Sequence, residues 1–240
     1  MSDILKIAHR GYSEIYPENT MPAFRAALDA GAHMIELDVH LTRDRELVVI
    51  HDDFIDRTSN GKGRVGDMDL AALRKFDYSY KFQGIGPCEI PLLIDVIELV
   101  RGRAMLNIEI KNLPSHYPGI EAEVAALLKK TDFIDEAVVS SFDHFSLEEI
   151  KRIEPSIRTG MLYDSLWLSF NREAEILGCH SVHPSIDAFD ERQARQARSC
   201  GMKVYPWVAK DAETLERLAG TSLVDGIMVN ELDLFAPQTL

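Results

Sequence analysis

The sequence predicts an α/β fold: a (β/α)8 TIM barrel with a small capping insertion after the second strand. Three observations carry that prediction. Short apolar runs alternate with amphipathic stretches along the whole chain, and strands alternating with helices of that length require a parallel sheet with helical crossovers. Eight such strand–helix units can be counted. The 240 residues also match the ~250 typical of this barrel, with little left over. An open doubly wound sheet is the alternative, but no GxGxxG turn follows the first strand.

Taken in order, the first strand covers 4–9 and runs into Ala8-His9-Arg10. Helix 21–30 follows Pro17-Glu18-Asn19-Thr20-Met21-Pro22, where Asn19 or Thr20 can cap the free N–H groups and Pro22 is tolerated in the first turn. The second strand is 34–41, and 47–51 is counted as its extension. Residues 53–89 then break the rhythm, being rich in Gly, Asp and aromatics with weak periodicity. Insertions of this size usually sit where loops build a barrel's active site, so 53–89 is read as a cap over the mouth. The alternation resumes with helix 93–100, strand 104–111, helix 120–130, strand 137–141, helix 146–153 and strand 158–163. Strand 180–184, helix 188–199, strand 203–208, helix 212–218 and strand 225–229 complete it. Residues 1–240 are thus expected to form one barrel domain that contains the cap.

Composition narrows the function. Hydrophobic residues make up 46% and charged residues 27%, the balance of a soluble globular chain, which excludes a disordered one. The net charge of −13 argues against nucleic acid as the main partner, since phosphate backbones are bound by surplus Lys and Arg. No apolar run reaches ~18 residues and no charged leader opens the chain, so no integral membrane segment and a cytoplasmic location are expected. The cysteines Cys88, Cys179 and Cys200 are odd in number, widely spaced and without CxxC, which argues against a disulfide framework or zinc cage.

The chemistry concentrates at predicted strand ends. In Met34-Ile35-Glu36-Leu37-Asp38-Val39-His40-Leu41, alternation puts Ile35, Leu37, Val39 and Leu41 on one face and Glu36 and Asp38 on the other. In a barrel the apolar face meets the helices, which turns both carboxylates inward. Two confined carboxylates repel each other and resist losing their hydration. A hard divalent cation, Mg2+ or Ca2+, resolves both problems. A solvent-facing edge strand is the competing reading. Leu106-Asn107-Ile108-Glu109-Ile110-Lys111 repeats the pattern: Glu109 can complete a three-carboxylate site and Lys111 can bind an anion beside it. A structural Glu109–Lys111 pair is the alternative there.

His9 and His51 also fall at strand ends, each accompanied by charged residues. Histidine titrates near neutrality, so such a pair can act as general base and general acid, although a metal ligand or a core histidine are other uses. Arg10 offers forked donors that suit phosphate oxygens. The remaining histidines, His40, His144 and His183 among them, are read as core or surface residues. Carboxylates for a hard metal together with cations for an anion suit phosphate-ester chemistry better than glycoside hydrolysis. The loop Ser59-Asn60-Gly61-Lys62-Gly63 lacks the GxxxxGK[ST] spacing, and no GxSxG is present.

The ordered blocks Ala8-His9-Arg10-Gly11, Pro17-Glu18-Asn19-Thr20, Glu36-Leu37-Asp38-Val39, His51-Asp52, Arg57-Thr58-Ser59-Asn60-Gly61 and Asn107-Ile108-Glu109-Ile110-Lys111 resemble the glycerophosphodiester phosphodiesterase family. Weaker matches continue through Ser141-Phe142-Asp143, Trp207 and Asp225-Gly226-Ile227. The resemblance implies a barrel whose divalent metal, Mg2+ or Ca2+, is held by Glu36, Asp38 and Glu109, with His9 and His51 as the acid–base pair. It further implies phosphate contacts from Arg10 and Lys111, aromatics Phe142 and Trp207 near the substrate alcohol, and a capping subdomain after His51. The implied reaction cleaves small glycerophosphodiesters to sn-glycerol 3-phosphate and an alcohol. A lysophospholipase D acting on lysolipids is one alternative, with an acyl groove supplied by Tyr78, Tyr80 and Phe82 of the cap. A non-catalytic phosphodiester-binding barrel is another. The sequence leaves open whether the chain forms a homo-oligomer. Tyr12, Arg45, Leu92, Ile94 and Lys210 depart from the family pattern, and Tyr12 and Lys210 are expected near the mouth.

Overall fold

The computed structural model of the chain describes residues 4–79, 81–113, 116–168 and 170–236. Eight parallel strands form the barrel: β1 (Leu5–His9), β2 (Met34–Leu41), β4 (Met105–Ile110), β5 (Ala137–Ser141), β6 (Arg158–Tyr163), β7 (Ser181–Pro184), β8 (Lys203–Val204) and β9 (Gly226–Val229). Their order is β8-β7-β6-β5-β4-β2-β1-β9. The ends of that path meet through Asp225 N to Val204 O at 2.9 Å, Met228 N to Pro206 O at 3.0 Å and Ala209 N to Met228 O at 2.9 Å. β8 stops short of the expected 203–208 because neither Pro184 in β7 nor Pro206 has an N–H to give, although Tyr205 N and Trp207 N still bond to Val182 O and Pro184 O at 3.0 and 2.9 Å.

The segment expected to extend the second strand instead reverses it. β3 (Leu47–Val49) pairs antiparallel with β2, Val39 opposite Val49. The turn between them places Arg45 at φ +65°, a left-handed conformation that normally favours glycine. Its guanidinium is held by Glu123 at 2.8 and 3.0 Å.

Helices α1 (Met21–Asp29), α3 (Leu93–Val100), α4 (Ile120–Lys130), α5 (His144–Ile153), α6 (Phe170–Ile176), α7 (Glu191–Ser199) and α8 (Ala212–Gly220) surround the barrel, and α2 (Leu70–Leu73) lies in the insertion. Caps shift two of them from expectation. Asp143 accepts from Phe145 N and starts α5 at 144 rather than 146. Asp190 accepts from Arg192 N and Gln193 N and starts α7 at 191, after a separate 3-10 turn over Ile186–Ala188. α6 was not expected from the sequence.

Apolar side chains divide into three groups. The outward strand residues Ile35, Leu37, Ile108 and Val139 pack beneath the helices with Phe24, Ile97, Leu128 and Phe133. Ile7, Met34, Val138, Tyr205 and Met228 fill the barrel interior. The insertion has its own small core of Ile55, Val65, Leu73, Tyr78, Cys88 and Ile90 with Val48 and Ile50. Among the described residues no helix is long and apolar enough to cross a membrane.

Candidate active site

The site lies at the C-terminal ends of the strands, where barrels of this kind carry their chemistry. β2 sits between β1 and β4, with all eight of its residues buried, so the edge-strand reading of Glu36 and Asp38 is overturned. Register places Glu36 beside His9 and Asn107, and Asp38 beside Glu109. Ligand oxygens of Glu36, Asp38 and Glu109 lie within 4.8 Å of one another.

Electrostatics separate the three carboxyls. Burial and the neighbouring Asp38 and Glu109 hold Glu36 well above the usual carboxylate range. Burial, with Asp38 beside it, pushes Glu109 up to about 7 despite Lys111. Asp38 moves the other way: burial opposes its ionisation, but Arg10, Lys111 and His51 outweigh it and hold the carboxyl well below its ordinary value. Asp38 Oδ2 accepts from Asn19 Nδ2 at 2.8 Å and lies 3.4 Å from Arg10 Nε, whereas buried Oδ1 has no hydrogen-bond partner. Closely spaced buried oxygens with an unused acceptor are a donor set that fits a hard divalent cation.

Cations and histidines surround the carboxylates. Lys111 Nζ donates to Glu109 Oε1 at 2.7 Å, lies 3.7 Å from Asp38 Oδ1, and reaches His51 Nε2 at 3.2 Å. The Glu109–Lys111 pair exists, but as one contact within this cluster. Arg10 directs its backbone N–H onto Glu36 Oε2 at 3.0 Å and its guanidinium onto Glu18 at 2.9 Å. That loop requires Gly11, which has φ +82° and whose added Cβ would lie 2.8 Å from Ala23.

The two histidines differ in their partners. His9 Nδ1 donates to Asn230 Oδ1 at 2.8 Å, which leaves Nε2 as the free acceptor, 3.9 Å from Glu36. Burial, reinforced by Arg10, pushes its pKa down to about 4. His51 Nδ1 instead pairs with the Asp52 carboxylate at 2.6 Å. Arg57 from the insertion bridges Asp52 at 2.6 Å and Glu18 at 2.7 Å, and Glu18 returns to Arg10. An unbroken chain of charge thus runs from His51 to Arg10.

His9, Arg10, Glu36, His51, Glu109, Lys111, Phe142 and Trp207 line one cavity of about 90 Å³, and Asp38 stands directly behind it. Phe142 and Trp207 meet edge-to-face at 5.6 Å. Sequence reasoning missed Asn230, Asp52 and Arg57 as partners; Asn107 lies inward with Glu109 as strand alternation expects, its buried amide lining the cavity with neither polar atom hydrogen-bonded. His40 is the buried core histidine expected: its Nε2 bonds to the His51 carbonyl at 2.9 Å and its Nδ1 meets the Tyr117 hydroxyl at 2.9 Å. Asn19 proves to be a partner of Asp38, and Thr20 alone caps α1. Tyr12, in the loop that follows β1, is buried against the core. Lys210 lines a groove beside His9 and Trp207, as expected. Tyr78 belongs to the insertion's own core, and Tyr80 lies outside the described residues.

Fold and site together define a (β/α)8 barrel that gathers an acidic cluster, two histidines and two basic side chains at its strand ends. The chain belongs to the glycerophosphoryl diester phosphodiesterase family, whose model matches residues 9–234. It is 38% identical over 238 residues to a glycerophosphodiester phosphodiesterase of Caldanaerobacter subterraneus, covering 98% of this chain and 96% of that one. A glycerophosphodiester phosphodiesterase of Agrobacterium tumefaciens superposes with a TM-score of 0.84 at 30% identity, covering 97% and 99% of the two chains. A phosphodiesterase of Oleispira antarctica, solved with its product sn-glycerol-3-phosphate, superposes with a TM-score of 0.85 at 29% identity, covering 94% and 92%.

Proposed function

We propose that this chain hydrolyses small glycerophosphodiesters to sn-glycerol 3-phosphate and an alcohol. The observation that carries this reading is the convergence of two histidines, Glu36, Glu109, Arg10 and Lys111 on one cavity, with Asp38 completing the carboxyl cluster, in a member of this family.

Glu36, Asp38 and Glu109 would hold Mg2+ or Ca2+. Such an ion neutralises phosphate charge and activates an oxygen nucleophile when bound. Arg10 and Lys111 contact the phosphate oxygens, and Phe142 and Trp207 border the alcohol. Partner chemistry separates the histidines. His9 is the general base, because Asn230 fixes its Nδ1–H and leaves the Nε2 lone pair free. His51 is the general acid once it takes up a proton: the Asp38 and Asp52 carboxylates favour that form, while burial, Arg10 and Lys111 hold its pKa below the ordinary value. The chain is read as one barrel domain in which 53–89 is the cap: it brings Arg57 to Glu18 and Asp52 at the rim. A cytosolic site of action agrees with three unpaired cysteines.

A coupled assay for released glycerol 3-phosphate, run over several glycerophosphodiesters with and without chelator, tests the proposal. Turnover abolished by chelator and restored by Mg2+ or Ca2+ is expected. Turnover that survives thorough chelation overturns the metal assignment, and no turnover on any diester overturns the activity.

A further inference from the structure

The backbone that carries His51 is held by a side chain. β3 pairs with β2 from Leu47 to Val49, and Ile50 N still donates to Asp38 O at 3.0 Å. One residue further on, the contact to the His51 carbonyl comes from His40 Nε2, at 2.9 Å. Alternation along β2 puts His40 on the same inward face as Glu36 and Asp38, and the residue is 2% exposed. A carbonyl oxygen only accepts, so Nε2 carries the ring proton. Nδ1 lies 2.9 Å from the Tyr117 hydroxyl. Neither partner carries a charge that would support a second proton, so the ring is neutral and Tyr117 donates to its Nδ1 lone pair.

Tyr117 is itself anchored from two sides. Its N–H donates to Asn112 Oδ1 at 2.7 Å, and Asn112 Nδ2 donates to Glu121 Oε1 and Ser146 Oγ, each at 3.1 Å. Its ring meets His40 edge-on, with centroids 5.4 Å apart. It also lies against Gly66 of the insertion, where an added Cβ would stand 2.9 Å from Tyr117 Cε1. A continuous set of bonds thus runs from the loop after β4 through Tyr117 and His40 to the His51 backbone. We infer that His40 is the positioning residue of His51, and that Tyr117 fixes the tautomer in which it acts.

The inference rests on the phosphodiesterase reading above, in which His51 protonates the departing alcohol. Asp52 and Lys111 act on the His51 ring itself, at 2.6 and 3.2 Å. His40 instead sets the backbone from which that ring projects. A misplacement of ~1 Å in a reacting group can cost about 10²-fold. A histidine that merely filled the core would have no need of a donor at Nε2, and its loss would fall evenly on every substrate.

The test measures kcat and KM for glycerophosphocholine and for the p-nitrophenyl diester of glycerol, whose leaving group needs no proton. His40→Leu should lower kcat about 10²-fold on the choline diester and far less on the p-nitrophenyl diester, with KM little changed. Tyr117→Phe should show the same selectivity with a smaller loss. His40→Gln keeps an N–H for the His51 carbonyl and an acceptor for Tyr117, so it should recover most of the activity. In a His51→Ala background, His40→Leu should cost no more than about twofold, because its effect passes through the ring already removed. Long-range proton–nitrogen NMR spectra of histidine-labelled protein read the geometry without turnover. They should show His40 protonated at Nε2, and Tyr117→Phe should shift the His51 ring signals while those of His9 stay in place. A loss equal on both diesters, or one undiminished beside His51→Ala, overturns the inference in favour of a core-filling histidine. So does a His40 protonated at Nδ1 alone, or a His51 ring that Tyr117→Phe leaves unmoved. If His40→Leu does not fold, Tyr117→Phe carries both the substrate comparison and the double substitution. If wild type cleaves neither diester, the phosphodiesterase reading fails, while the spectra still decide whether His40 places His51.

Discussion

Asn19 reaches across the top of the barrel and donates a 2.8 Å hydrogen bond to Asp38 Oδ2. It does so from a left-handed backbone, φ +57°, one residue before the α1 cap, so its amide points inward while Thr20 serves the helix. Asn19→Ala is expected to weaken divalent-metal affinity about 10–100-fold, the range for losing a residue that orients a ligand. It should also destabilise the fold by about 1–3 kcal/mol through the unpaired buried acceptor. Metal titration by calorimetry and denaturant melts measure the two effects. An unchanged metal affinity would leave Asn19 a purely structural residue.

Glu36 and Asp38 should respond oppositely to amide substitution. Asp38 is surrounded by Asn19, Arg10 and Lys111, whereas Glu36 faces two other carboxylates in a buried setting. In chelator, Glu36→Gln should melt at or above the wild-type temperature because repulsion is relieved, while Asp38→Asn should melt lower. One kcal/mol corresponds to about 2–4 °C in a chain of this size. Glu36→Gln, Asp38→Asn and Glu109→Gln should each lose nearly all activity and most of the stabilisation that added metal gives wild type. A Glu36→Gln variant that melts well below wild type in chelator would contradict this account.

These two positions show what was legible in the sequence. Glu36 and Asp38 alternate with Ile35 and Leu37, and a strand's period of two turns that alternation into a statement about faces. The same rule located Glu109 and Lys111, and short apolar runs located the barrel strands. Partnerships across the fold carry no local signal. Asn230 is 221 residues from His9, and Arg57 is 39 from Glu18. Asn19 was misassigned because a helix-cap motif explains it locally. α6 spans 7 residues, too few for helical periodicity to stand out.

Buried neutral histidines give the fold an acid sensitivity. His183 is fully buried, bonds Ser181 Oγ at 2.8 Å, and faces the Tyr205 ring at 5.4 Å with His180 nearby. Burial, with His180 adding to it, pushes its pKa down to about 3. The unfolded chain binds this proton below ~6.5 and the folded chain does not. Its neutral form therefore supports stability fully above pH 6.5, and that support is lost as pH falls toward 3. His183→Gln cannot take the proton, so its stability–pH slope in this window should be shallower by up to about 1.4 kcal/mol per pH unit. Urea melts at several pH values read the slope, and identical slopes would mean that His183 is protonated in the folded state.

The opposite partners of His9 and His51 predict a dependence on the leaving group. An alkoxide such as that of choline needs a proton as it departs, whereas p-nitrophenolate leaves without one. His51→Ala should therefore cost about 10²–10⁴-fold in kcat on a choline diester but far less on the p-nitrophenyl diester of glycerol. His9→Ala removes the base and should cost a similar factor on both substrates. The partners extend the argument. Asp52→Asn keeps a hydrogen-bonding group 2.6 Å from His51 but withdraws the charge that favours its protonated form. Its loss should follow the pattern of His51→Ala, selective for the poor leaving group. Asn230→Ala frees the His9 ring to take the wrong tautomer, so its loss should fall evenly on both substrates. If the p-nitrophenyl diester rescues His9→Ala and not His51→Ala, the two roles are reversed. If it rescues neither, neither histidine supplies the leaving-group proton.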